Sequence, residues 1–260
     1  MAKQTTYNMQ LDTKYFNGRT VKLVSAIILL NMSLPACKKS GFFVEAGDMK
    51  TVILKTDDFE EIILHDKVNI VLTYDTINQI SLKAGENLIS NIETSVADKK
   101  LTIKDHNKYK WTRDLDYDIT VYVSGNHLKK ISYYGAGNIT TTNVWKTDEF
   151  IVDSWTGIGS FDLQLESGYT ELIIRMANAD FTLKGTSRFT RVYCADRGSV
   201  NLRDFKSNEM SLDYRSIRNS TVYVTSYLTA NILYKGNVYY RGDPEIKPFY
   251  NSTGKLIPDP

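Results

Sequence analysis

The chain reads as an all-β solenoid of short strands with about 20 residues per coil, and three observations carry that reading. First, a small residue, a short polar residue and a β-type apolar residue recur six times. The copies are Gly137-Asn138-Ile139, Gly159-Ser160-Phe161, Ala179-Asp180-Phe181, Gly198-Ser199-Val200, Ser220-Thr221-Val222 and Gly236-Asn237-Val238. Their apolar members stand 22, 20, 19, 22 and 16 residues apart. A fixed period of this length marks a stacked repeat, in which one copy cannot bury its apolar face alone. Second, the residues around each apolar member alternate. Two positions on come Thr141, Leu163, Leu183, Leu202, Val224 and Tyr240, with Thr140, Asp162, Thr182, Asn201, Tyr223 and Tyr239 between. That is the period of a strand with one face in and one face out. Third, beyond the amino-terminal segment no run places apolar residues at i, i+3, i+4 and i+7. Helix content should therefore be low.

Residues 1–36 read as a lipoprotein signal peptide. Lys14, Arg19 and Lys22 precede an apolar stretch, 23–30, which runs on to Leu34-Pro35-Ala36-Cys37. A basic segment, a short apolar core and a small residue before the cut make a secretory signal, and the core is too short to span a bilayer. Leu-x-Ala-Cys resembles the bacterial lipobox, so Cys37 is the expected lipidation site and 37–50 the tether of the anchored protein. An ordinary amino-terminal segment with an incidental cysteine is the alternative. Lys38-Lys39-Ser40 follows Cys37 where surface-exposed lipoproteins often carry acidic residues, which favours a periplasmic face. The expected place is the outer membrane, on the cell surface or the periplasmic side.

Residues 51–260 read as one solenoid domain, because no Pro- or Gly-rich linker interrupts them. The part 51–133 is β but less regular, with strands expected at 52–54, 62–64, 68–74, 80–82, 92–96, 101–103 and 118–123. Regular coils occupy 134–247, each with a second strand after the repeat, as at Glu149-Phe150-Ile151-Val152 and Glu171-Leu172-Ile173-Ile174. A charged, proline-bearing tail, 248–260, is placed to cover the last coil against edge pairing.

Composition excludes several functions. The net charge is +2, and residues 1–36 contribute four basic and one acidic residue, which leaves −1 for the rest. Neither a nucleic-acid stripe nor a polybasic membrane patch is indicated. The chain has two cysteines, so a lipidated Cys37 leaves Cys194 without a disulfide partner. Cys194 alternates in phase with Val192 and reads as a small buried hydrophobe. No metal-spaced His or Cys pairs, phosphate loop or nucleophile elbow occur, so no metal or cofactor is expected.

At this point the residues resemble a known family. The Gly-x-Gly-Asn/Ser-apolar turns, preceded by Val121-Tyr122-Val123 and Leu128-Lys129-Lys130-Ile131, are similar to the head GIN domain family of autotransporter adhesins. The ending Leu228-Thr229-Ala230-Asn231-Ile232 … Gly236-Asn237-Val238-Tyr239-Tyr240-Arg241-Gly242-Asp243-Pro244 resembles that family's last coil. The resemblance covers about 59–257 and implies a right-handed β-helix-like fold, without the catalytic residues of pectin lyases, in a lipoprotein of cell adhesion.

The expected function is therefore binding rather than catalysis, with a glycan or a protein as ligand and a homo-oligomer allowed. Tyr223 and Tyr239 point outward on neighbouring coils, and Trp155 lies with Tyr133, Tyr134 and Trp145 in the first regular coils. Exposed rings of this kind stack on sugars or form protein contacts, although aromatic residues also fill solenoid corners and ends. A polysaccharide-active enzyme is the alternative. Asp162 and Asp180 alternate outward on adjacent coils at roughly 8 Å, within the spacing of inverting glycoside hydrolysis. Arg241-Gly242-Asp243 matches a tripeptide read by integrins, but a Gly-Asp-Pro turn accounts for it.

Overall fold

The computed structural model describes residues 46–107, 118–176, 178–250 and 252–259. In chain order the elements are β1 (Met49–Leu54), β2 (Glu61–Leu64), β3 (Asn69–Tyr74), β4 (Gln79–Gly85), α1 (Glu86–Ile89), β5 (Ile92–Ala97) and β6 (Lys100–Asp105). Then follow β7 (Thr120–Gly125), β8 (Lys130–Tyr133), β9 (Ala136–Thr141), β10 (Trp145–Ser154), β11 (Ile158–Ile174), β12 (Asn178–Asp196) and β13 (Ser199–Ser216). The chain ends with β14 (Ser220–Ile232), β15 (Val238–Arg241), β16 (Glu245–Tyr250) and β17 (Leu256–Pro258).

These strands wind a parallel β-solenoid. Sheet one stacks β6, β2 and β8, then the carboxy-terminal parts of β10 to β14, then β16. Sheet two stacks β7, β3 and β9, then the amino-terminal parts of β11 to β14, then β15 and β17. The long strands β11, β12 and β13 bend round a corner and so contribute to more than one face. Identical inward positions line up into columns, such as Ile70, Ile139, Phe161, Phe181 and Val200. Phe161 and Phe181 stack with ring centres 4.2 Å apart and planes 8° from parallel. Each such buried side chain stabilises the fold by about 1.5–3 kcal/mol relative to exposure. The alternation read from sequence thus becomes the core, and the recurring polar residue becomes an outward ladder. Ser160 donates to Asn138 (2.8 Å), and Ser199 to Asp180 (2.8 Å).

The fifth repeat requires a correction. Ser220 pairs with Val238, and Thr221 with Asn201, so Ser220 and not Val222 occupies the inward repeat position. Arg218 then stands where other coils have glycine or alanine. The last two spacings become 20 (from 200 to 220) and 18 (from 220 to 238), a more even period than 22 and 16. Ser220 escapes an apolar pattern because its hydroxyl is satisfied inside the coil. It accepts from the Val200 amide at 2.9 Å and lies 2.8 Å from the buried Tyr214 hydroxyl.

The coil order is not the chain order. The coil β2–β3 is sandwiched between β6–β7, which follows it in sequence, and β8–β9. Charge favours the arrangement. Glu60 receives Lys99 at 2.6 Å from one side and Lys129 at 2.7 Å from the other, while Glu61 meets Lys100 at 3.5 Å and Lys130 at 3.3 Å. Sequential stacking of β6 against β8 would instead set two lysine pairs against each other. The amino-terminal end is closed by antiparallel strands, β4 and β1 beyond β7 and β5 beyond β6, with Leu88 of α1 fully buried. At the other end the edge strands β16 and β17 carry Pro248 and Pro258, which cannot donate to a further strand.

Candidate functional site

Tyr223 projects from the outward face of β14 and is half-buried. Its register partner is Arg241 of β15, whose guanidinium carbon lies 5.3 Å from the ring centre, a cation–π contact. Tyr239 is also half-buried and outward, but it pairs with Thr221 and Ile257, two residues along the strand from Arg241. The two tyrosines therefore share a face diagonally. Around Tyr223 and Arg241, the residues Tyr240, Gly242, Asp243, Pro258 and Asp259 complete a shallow depression of about 430 Å³. Gly242 has φ +93°, and a Cβ there would lie 1.9 Å from the Val224 carbonyl oxygen. The glycine of the Arg-Gly-Asp tripeptide is thus demanded by the turn. Asp259 is fixed by Arg203 at 2.9 Å. The depression offers an aromatic ring, a guanidinium and carboxylates in one small volume, the mixture that hydrogen-bonds and packs against a sugar or a peptide turn.

Trp155 stands elsewhere, at the corner between the end of sheet one and the start of sheet two. It belongs to a stack running across coils: His65 on Tyr134 (5.1 Å, 16°), Tyr134 against Trp155 (6.4 Å, 16°), and Arg175 over the Trp155 ring at 4.3 Å. The structure does not bring Trp155 together with Tyr223 and Tyr239. Of the other aromatic candidates, Tyr133 and Trp145 are core residues. Both are fully buried, and the Trp145 Nε1–H donates to the Leu128 carbonyl at 3.2 Å. Cys37 lies outside the described residues.

Asp162 and Asp180 keep the offset their alternation predicts, since Asp162 pairs with Thr182, two residues beyond Asp180. Asp180 does not suit the general-acid role. Partial burial alone would raise the Asp180 pKa, but hydrogen bonds from Arg218 (2.5 Å) and Ser199 outweigh it and hold the carboxyl below its ordinary range. A general acid in glycoside hydrolysis needs the opposite shift. Cys194 is buried, and burial pushes its thiol up to about 12, with Arg218 acting weakly the other way. It is an inert core residue.

Sequence reasoning missed Pro258, Asp259 and the pairing of Arg241 with Tyr223. The Arg241-Gly242-Asp243 tripeptide was visible, but the tail's return as β17 beside β15 leaves no periodic signal. A second cavity of about 320 Å³ opens near the amino-terminal cap, between Leu54, Phe59, Ile80, Asn126, His127 and Leu128. Among the described residues no group of three or more His, Cys, Asp or Glu is arranged to hold a metal ion.

The class defined by this fold is a parallel β-solenoid. More particularly, the chain belongs to the family described as "putative auto-transporter adhesin, head GIN domain", whose model matches residues 58–244. Solved structures share the fold. A "putative adhesin" from Bacteroides fragilis is 18% identical, with a TM-score of 0.73 over 84% of this chain and 100% of that one. A "putative adhesin" and a "putative lipid binding protein" from Parabacteroides distasonis are 16% and 18% identical, with TM-scores of 0.58 and 0.59. Each covers 82% of this chain and 98% of its own. No curated protein matches the chain. The family accords with a non-catalytic, adhesin-like role at the cell surface or envelope. No helix among the described residues is long and apolar enough to cross a membrane.

Proposed function

We propose that this protein is an outer-membrane lipoprotein, anchored through lipid on Cys37, whose solenoid head binds polysaccharide at the depression around Tyr223 and Arg241. The observation that carries the reading is the register that lays Arg241 on Tyr223 beside Asp243 and Asp259. Tyr239, diagonal to this cluster on the same face, extends the contact surface for a longer chain. Glycan screening followed by calorimetry tests it: Tyr223→Ala and Arg241→Ala should each weaken binding roughly tenfold, the effect of about 1.4 kcal/mol. Unchanged affinity in both variants would overturn the site, and binding only to a protein ligand would redirect the partner class. Labelling with radioactive palmitate, lost in Cys37→Ala, tests the anchor.

A second reading keeps the anchor and turns the head inward. Lys38-Lys39-Ser40 favours a periplasmic structural lipoprotein without an external ligand. Protease treatment of intact and lysed cells separates the two: cleavage on intact cells supports the adhesin, and protection until lysis ends it.

A further inference from the structure

We propose that the corner between sheet one and sheet two is a bilayer-contacting edge. Along it Tyr134, Trp155, Ile158, Met176, Ile217 and Tyr234 would lie against the surface of the membrane that carries the protein. All six are exposed, Met176 at 65% and Ile158 at 61%. They are brought together by stacking, not by sequence. The Trp155 amide donates to the Tyr133 carbonyl (3.0 Å), Met176 to Trp155 (2.9 Å), Ile158 to Gly135 (3.0 Å) and Ile217 to Asp196 (3.0 Å), so each coil turns the same corner over the one before. At about 4.8 Å per coil, the five steps from Tyr134 to Tyr234 make a ridge roughly 24 Å long, apolar except at the coil that turns through Asp196 and Arg197.

Three features select a bilayer as the occupant. The residue types are those of a membrane interface, where Trp and Tyr sit at headgroup level and aliphatic side chains reach the acyl boundary. The rings stack along the solenoid axis: Arg175 lies over one face of Trp155 and Tyr134 is near-parallel to it on the neighbouring coil, an arrangement that suits insertion between headgroups. Lys235 near Tyr234, and Arg175 over Trp155 though also paired with Asp153 at 3.3 Å, place cationic heads beside the apolar ridge, as snorkelling side chains do. Asp66, Asp196 and Arg197 share this corner, so apolar insertion and not net charge drives the contact.

The tether enters at the same edge. Met49 pairs with Gly85, Lys83 with Thr120, and Thr120 with Asn69, while Lys67 bridges Ala136 and Ala136 pairs with Ile158. Followed across sheet two, that line sets Met49, itself exposed, at the edge that carries Ile158. Cys37 precedes Ala46 by nine residues (46 − 37), a reach of at most about 30 Å. The chain therefore enters the head on the edge that carries the ridge, four strands before the coil of Tyr134, with the Tyr223 depression at the far ends of the sheet-two strands. In this one respect the inference rests on the anchoring proposed above.

The experiment couples the full chain to a maleimide phospholipid through Cys37, which is selective because Cys194 is buried. The vesicles are phosphatidylethanolamine and phosphatidylglycerol with acyl chains brominated near the headgroup. Bromine should quench Trp155 emission, and Trp155→Phe should remove that quenched component. Met176→Asp with Ile217→Asp should reduce it to roughly half or less, with the melting temperature retained. Unquenched Trp155 on coupled, floating vesicles would overturn the proposal. So would self-association of the vesicle-free chain that the aspartate variant abolishes, since the ridge would then serve a second copy. Coupling is chemical, so failure here falls on the ridge, whereas failure of palmitate labelling falls on the anchor.

Discussion

Arg218 reaches Asp180 across two coils: its Nη1 lies 2.5 Å from the carboxylate of a residue 38 positions earlier. The contact exists because Arg218 stands where other coils have a small residue, so its side chain must leave over the outward ladder. It also decides the chemistry of Asp180, tying up the carboxylate that an enzymatic reading would need.

Arg218→Ala should let the Asp180 pKa rise toward its ordinary value, measured by carboxyl titration in NMR. The folded pKa is depressed. The pair therefore stabilises above the unfolded carboxylate pKa and loses that contribution as pH falls below the ordinary range. Because the pair is exposed, the loss of stability should be at most about 1 kcal/mol.

Ser220→Ala should destabilise the fold by about 1–3 kcal/mol, because the buried Val200 amide loses its acceptor. A pattern-based expectation is the reverse, since most coils carry an apolar residue here. Chemical denaturation distinguishes the two, and a neutral result would argue against the corrected register.

Glu60 should titrate at about 2, held down by hydrogen bonds from Lys129 and then Lys99. Its depressed pKa makes the contribution of the Lys–Glu–Lys bridge present above the unfolded pKa and lost as pH falls through about 2. Lys129→Met should raise the pKa toward its ordinary value in the same NMR titration. An unmoved value would remove the charge argument for the coil order.

Gly157→Ala should lower the melting temperature, because the new Cβ would lie 2.0 Å from ring carbons of the buried Tyr133. Overpacking of this kind costs about 1–3 kcal/mol. Val144→Ala, at an exposed position, should leave the melt unchanged.

Much of the architecture was legible in the chain because it is local physics. Period-two alternation follows from the pleat of a strand, and a repeat near 20 residues follows from a coil that buries its face only against the next. Columns such as Ile139–Phe161–Phe181 were therefore predictable, as were the seven strands expected before residue 124. What only the tertiary structure decided are choices between distant partners. Loop-closure entropy varies slowly with length, so local pattern does not dictate whether β2 meets β6, β8 or both. In the order that forms, lysines of both neighbouring coils meet Glu60 and Glu61. The same holds for the fifth coil, where Tyr214 makes a buried serine acceptable, and for the surface clusters. Arg241 meets Tyr223, and the apolar corner residues form one ridge, because stacking superimposes positions that alternation along a single strand cannot relate.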